Sequence, residues 1–125
     1  MNQLRGRKNT VLICDDDEGI VDITKMILQE KGYQVETVLN SFDIYSKIKQ
    51  HKPDLILLDL WMPNLRGEEI IESLKKDKDT NKIPVIVLSA YRHTASVSRK
   101  CGADDFITKP FDINDLEKIV KKYLK

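Results

Sequence analysis

The chain has 125 residues, 41% of them apolar, and its 21 Lys and Arg against 20 Asp and Glu leave a formal charge of +1. That length holds one ordinary domain, able to bury roughly two-thirds of its unfolded surface without disulfide or metal staples. The near-neutral balance excludes an electrostatic bias toward nucleic acid or other polyanions. No uncharged apolar stretch approaches the roughly 20 residues of a membrane span, and Met1 to Asn9 is polar and basic with no signal-peptide core, so the expected location is cytoplasmic.

Residues 1–9 read as a flexible basic extension carrying Arg5, Arg7 and Lys8. The domain proper, 10–125, opens with Val11-Leu12-Ile13-Cys14, an apolar run without alternation, as in strands buried on both faces of a parallel sheet. Ile20, Ile23 and Ile27 follow at helical spacing, and Gly32 stands where that helix should be capped. Gln34 to Val38 is a weaker strand of edge character, and Asn40-Ser41 would cap a helix carrying Ile44 and Ile48. A second buried run, Leu55-Ile56-Leu57-Leu58, precedes a helix with Ile70 and Leu74. Pro84 opens the third, Val85-Ile86-Val87-Leu88, where its missing N–H does least harm. Then come a fourth helix around Val97 and Cys101, Gly102, a short edge strand Asp105 to Thr108, the cap Asp112, and a fifth helix with Ile113, Leu116, Val120 and Tyr123. That helix runs out at Leu124, so no effector domain is expected within this sequence. The two cysteines, Cys14 and Cys101, suit reduced core positions better than a disulfide framework.

Five βα units with right-handed crossovers make a doubly wound α/β fold, a flavodoxin-like three-layer αβα sandwich on a five-stranded parallel sheet. With the apolar strands inside and the mixed ones at the edges, the strand order is 2-1-3-4-5. Ligands of such sheets bind beyond the carboxyl ends of the strands, beside the point where strand order reverses. The strands here end in Asp15-Asp16-Asp17, Asp59, Ser89-Ala90 and Thr108-Lys109-Pro110. Asp15, Asp16 and Asp59 would crowd one crevice with only Lys109 to offset them, and like charges at close range require a further cation. A hard divalent ion answers that deficit. Mg²⁺, which takes a few carboxylates, water and a phosphate oxygen in octahedral array, fits better than a Ca²⁺ cage. Taken alone, Asp15 to Asp17 would read as solvated loop acids; Asp59 and Lys109 at equivalent strand ends outweigh that.

Cys14-Asp15-Asp16-Asp17, Asp59-Leu60-Trp61-Met62-Pro63-Asn64-Leu65-Arg66-Gly67, Ser89-Ala90 and Gly102-Ala103-Asp104-Asp105-Phe106-Ile107-Thr108-Lys109-Pro110-Phe111 together resemble the receiver domain of two-component response regulators, over Thr10 to Leu124. Through that resemblance Asp59 is similar to the phosphoacceptor, which takes a phosphoryl group from a phosphohistidine. Asp16, Asp59 and the backbone carbonyl of Trp61 resemble the Mg²⁺ ligands, with Asp15 acting through metal-bound water. Lys109 resembles the lysine that pairs with the carboxylate and then with the phosphoryl oxygens. Ser89 and Phe106 correspond to the switch hydroxyl and switch aromatic. Trp61 and Tyr91 occupy the two positions that flank the phosphoryl group and influence its hydrolysis, and both are bulky here.

The resemblance implies a phosphorelay switch rather than an enzyme with an external substrate, catalysing only its own phosphorylation and dephosphorylation. Its partners would be a sensor histidine kinase or histidine phosphotransfer protein and a downstream protein or effector domain meeting the face of helix 4, strand 5 and helix 5, with no direct nucleic acid or membrane contact and a monomer or phosphorylation-dependent dimer. A pseudo-receiver without phosphotransfer is the alternative, and intact Asp16, Asp59 and Lys109 argue against it. An aspartate-nucleophile phosphatase would want a hydroxyl where Gly19 and Ile20 stand, and a flavodoxin would want a Ser, Thr and Gly-rich loop after the first strand. Asp17 reads as a loop acid or first-turn charge, with Glu18 beside it. His51 and His93 read as surface histidines, and Lys118, Lys121, Lys122 and Lys125 as a solvated helix face.

Overall fold

The computed structural model describes residues 8–60, 62, 67–89 and 102–124. Its strands are β1 (Thr10–Cys14), β2 (Gln34–Val38), β3 (Leu55–Asp59), β4 (Val85–Ser89) and β5 (Asp105–Thr108). They form one parallel sheet in the order β2-β1-β3-β4-β5, with registers Cys14↔Val38, Cys14↔Leu58, Asp59↔Leu88 and Ser89↔Thr108 at the carboxyl ends. The helices among the described residues are α1 (Glu18–Glu30), α2 (Ile44–His51), α3 (Gly67–Lys76) and α4 (Ile113–Tyr123), the last being the fifth in the sequence reading. The helix expected around Val97 and Cys101 lies outside the described residues.

Side chains alternate across a strand, so the three apolar runs feed two separate cores. Leu12, Cys14, Ile56, Leu58, Val85 and Val87 face one way and pack with Ile44 and Ile48 of α2 and Ile70, Ile71 and Leu74 of α3. Val11, Ile13, Leu55, Leu57, Ile86 and Leu88 face the other way and meet Val21 and Leu28 of α1 and Leu116 and Val120 of α4. This partition is why the runs lack alternation: both faces are dry. Each fully buried Leu, Ile or Val stabilises the sheet by roughly 1.5–3 kcal/mol, which fixes the strand ends where the chemistry sits.

Local signals set the helix limits. After α1, Gly32 has φ of 95°, its N–H donates to the Gln29 carbonyl and that of Tyr33 to Leu28, a Schellman end with glycine in the left-handed position. At α2 a left-handed residue again ends the helix, but it is Lys52, with φ of 46°, and no glycine marks it in the sequence. Asn40 caps a short 3-10 turn, Ser41–Asp43, and α2 proper begins only at Ile44, later than its cap residues imply. Asp112 and Asp115 form a reciprocal capping box at the start of α4.

Gly67 opens α3 for a steric reason. A Cβ there would lie 2.6 Å from Leu60 Cδ2 and 3.1 Å from Leu60 Cα, and Leu60 directly follows Asp59. The missing side chain thus lets α3 press against the segment that holds the strand-3 carboxylate. Gly67→Ala should destabilise the protein by about 1–3 kcal/mol, the usual cost of overpacking. Urea unfolding checks this, and an unchanged midpoint would show that the helix is free to move away.

Candidate functional site

The parallel sheet puts the carboxyl ends of β1, β3 and β5 on one rim. Asp15 follows β1 and is fully buried; its N–H donates to the Val38 carbonyl (3.1 Å), and its Oδ1 accepts from the Asp17 N–H (3.0 Å). Asp16, next along, projects to solvent. Asp59 is the last residue of β3 and is 6% exposed. One oxygen of each of these three carboxylates lies within 4.8 Å of the others, which is the separation a single metal ion can span.

Lys109, just past β5, reaches into this group. Its Nζ donates to Asp15 Oδ2 at 2.6 Å and stands 3.6 Å from Asp59 Oδ2. Burial works against the ammonium, yet its hydrogen bond to Asp15 and the charges of Asp59 and Asp15 outweigh it, and the pKa of Lys109 is raised above the ordinary lysine value. Resemblance pointed to pairing with the phosphoacceptor; in the structure the shorter contact is to Asp15, with Asp59 at the second distance.

The donor set suits a hard cation. Three carboxylate oxygens against one ammonium leave the crevice net negative, and the exposure of Asp16 keeps one side open to water and to an incoming group. No sulfur or imidazole competes among the described ligand candidates. Cys14 is nearby in sequence but buried in the sheet, and that burial, reinforced by the charge of Asp15, pushes its thiol far above the usual range. It is an inert core residue, as its place in the strand implied.

Asp17 is an exposed loop acid, as expected, with a further use at the helix start. It is the N-cap of α1, its Oδ1 accepting from the Ile20 N–H at 3.2 Å. Glu18 does occupy the first turn. Ser89 ends β4 opposite Thr108, while its side chain lies outside the described set. Phe106 pairs with Val87 and packs, half-buried, against the core on the α2 and α3 side. Trp61, Tyr91, Cys101 and His93 lie outside the described residues. His51 is no free surface histidine: it is 22% exposed, and its Nε2 stands 3.5 Å from Glu36 Oε1, close enough for an ion pair but outside hydrogen-bond geometry.

Comparison with known proteins agrees with this geometry. The family model of the response regulator receiver domain matches residues 11–121. Sporulation initiation phosphotransferase F of Bacillus subtilis is 34% identical over 116 residues, covering 91% of this chain and 92% of that protein. The phosphate regulon transcriptional regulatory protein PhoB of Pseudomonas aeruginosa is 36% identical over 118 residues, covering 93% of this chain and 52% of that protein. Against several such regulators the chain spans about half their length. The signal receiver domain of a signal transduction histidine kinase from Syntrophus aciditrophicus superposes with a TM-score of 0.85 at 37% identity, covering 93% of this chain and 89% of that one. With a match over nearly the whole sheet and the carboxylates at its carboxyl rim, the chain belongs to the response regulator receiver domain family.

Proposed function

We propose that the chain is a phosphoacceptor switch of a His-Asp phosphorelay and that Asp59 takes the phosphoryl group. The observation that carries this is the meeting of Asp15, Asp16 and Asp59 with Lys109 at the ends of three different strands. A carboxylate oxygen of Asp59 attacks the phosphorus of a donor phosphohistidine; the P–N bond breaks, an acyl phosphate forms, and the imidazole leaves and is protonated. Asp16 and Asp59, with the Trp61 carbonyl and with Asp15 through water, would hold Mg²⁺, which when bound supplies charge neutralisation for the transferring oxygens.

The chain's own residues do the rest. Among the described residues Asp59 is nearly buried, and the neighbouring exposed Asp16 leaves a side open to solvent. Lys109 is within one side-chain movement of the phosphoryl oxygens and gives up Asp15 to reach them. Ser89, at the end of β4, supplies the hydroxyl that follows the phosphoryl group inward, and Phe106 turns into the space it vacates. A protein donor fits the exposed apolar residues Ile23 and Met26 of α1 and Ile113 of α4, two helices that share one face of the sheet. The output would leave by the face of the fourth helix of the sequence, β5 and α4, toward an effector domain or separate protein. No described helix is long and apolar enough to cross a membrane, and we place the domain in the cytoplasm with the kinase's catalytic side. The pseudo-receiver reading has no residue in its favour, since every charged group of the site is present.

Three outcomes test this reading. Acetyl phosphate with Mg²⁺ should add one phosphoryl group to the wild type, seen by intact mass, and none to Asp59→Asn; uptake by the variant at the wild-type rate would move the acceptor elsewhere. Mg²⁺ should raise the melting temperature by a few degrees, since a ligand of the folded state held at tenfold its Kd stabilises by roughly 1.4 kcal/mol. Asp16→Asn should abolish most of that rise while leaving the metal-free protein at least as stable, and a flat response of the wild type would dismiss the metal site. Finally, large rings at positions 61 and 91 would screen the acyl phosphate from in-line water. Trp61→Asn and Tyr91→Glu should then shorten the phosphorylated state's half-life by about tenfold, a barrier change of only about 1.4 kcal/mol, and equal half-lives would mean the rings play no such part.

A further inference from the structure

The start of β5, at the opposite end of the strand from Lys109, is held by two adjacent carboxylates with different partners. Asp104 Oδ2 accepts from Lys75 Nζ of α3 at 2.6 Å and from the Val85 N–H of β4 at 2.8 Å, and the same ammonium donates to the Ile83 carbonyl at 2.9 Å. Asp105 Oδ2 accepts from the Tyr123 hydroxyl at 2.9 Å and from Lys122 Nζ at 3.0 Å, both in the last turn of α4. The Tyr123 hydroxyl also stands 3.0 Å from the Asp104 carbonyl, while Asp105 Oδ1 accepts from the Phe106 N–H at 2.9 Å. Lys122, expected on a solvated face, is indeed 64% exposed, but its charge is engaged here.

Asp104 therefore fixes β5 to α3 and β4, which belong to the layer anchored beside Asp59. Asp105 does something else: its two oxygens join the backbone of the switch aromatic to the end of α4. Burial would raise the Asp105 carboxyl, but the hydrogen bonds from Lys122, the Phe106 N–H and Tyr123 outweigh it and hold the group below the usual carboxylate range. The exposed Lys122 pair is worth little in water. The half-buried Tyr123 hydroxyl, whose single proton has both Asp105 Oδ2 and the Asp104 carbonyl within reach, supplies the geometric constraint. Since β5 has only four residues at about 3.3 Å each, with Lys109 gripping Asp15 just beyond its far end, a shift at one end has little chain in which to dissipate.

We propose that Asp105 is a positioning residue that ties the switch strand to the last turn of α4 through Tyr123, so that a change of partner at Lys109 or of position at Phe106 is transmitted to residues 122–124. The proposal rests on the phosphoacceptor reading for its trigger, but its linkage exists without one.

The test uses the full chain labelled with ¹⁵N, with Mg²⁺ and beryllofluoride as the phosphoryl mimic. In the wild type the amides of Asp59 and Leu60 should move together with those of Lys122 to Leu124. In Tyr123→Phe, which keeps the ring and removes the hydroxyl, the first set should move as before and the second by less than about a third of its wild-type shift. Undiminished movement at 122–124 in the variant, or none there in the wild type while Asp59 responds, would overturn the relay. Silence at Asp59 itself would refute the phosphoacceptor reading instead. The relay is then decided by unfolding constants of Lys109→Ala, Tyr123→Phe and the double variant: coupling predicts a departure from the product of single effects of about threefold or more, whereas agreement within about twofold overturns it.

Discussion

Everything at the rim of this sheet depends on how three carboxylates tolerate one another around a single ammonium. Asp15 is fully buried and Asp59 nearly so, so neither can rely on water for its charge, and Lys109 cannot be shared equally between them. It settles against Asp15 at 2.6 Å and leaves Asp59 at 3.6 Å. The effect is a buried carboxylate, Asp59, in a cluster of three acids around one ammonium, a condition that a divalent cation would relieve and that suits the acceptor role proposed for it. A structure optimised only for stability would have replaced at least one of these acids.

The architecture makes that crowding unavoidable. Parallel strands align their carboxyl ends, the reversal of strand order between β1 and β3 leaves a crevice there, and cores pack on both faces of the sheet behind it. Gly67 brings α3 against Leu60, so the residue that directly follows Asp59 is constrained from the helix side as well. At the other end of β5, Asp104 and Asp105 hold the strand to three neighbouring elements. Lys109 thus stands at the end of a strand that is fixed at its start and can answer a new charge at its finish.

Much of this could be read from the residues, and the reasons differ by feature. The strands of both cores were legible because burial on two faces demands uninterrupted apolar runs, Asp59 because it is the polar end of such a run, and Lys109 because it follows the edge strand on the same carboxyl rim. Asp17 is the exposed loop acid the residues suggested, and its further role as a helix cap was not legible because a loop acid and a cap differ only by the direction of one carboxylate. Lys52 gave no sign of ending α2, since nothing in a lysine announces a left-handed backbone. The preference of Lys109 for Asp15 turns on a 1 Å difference that spacing cannot resolve. Asp104 and Asp105 passed as motif residues because their partners, Lys75 and Tyr123, stand 29 and 18 positions away and no local pattern points to them.

The central claim is that a cation and a phosphoryl group complete a charge arrangement the chain leaves unfinished. A crystal structure of the full chain with Mg²⁺ and beryllofluoride tests it most directly. The account predicts the ion at about 2.0–2.1 Å from oxygens of Asp16 and Asp59, beryllium on the remaining Asp59 oxygen, and Lys109 turned from Asp15 to a fluoride. An ion bound away from these carboxylates, or Lys109 still at its present distance from Asp15 beside an occupied Asp59, would contradict it.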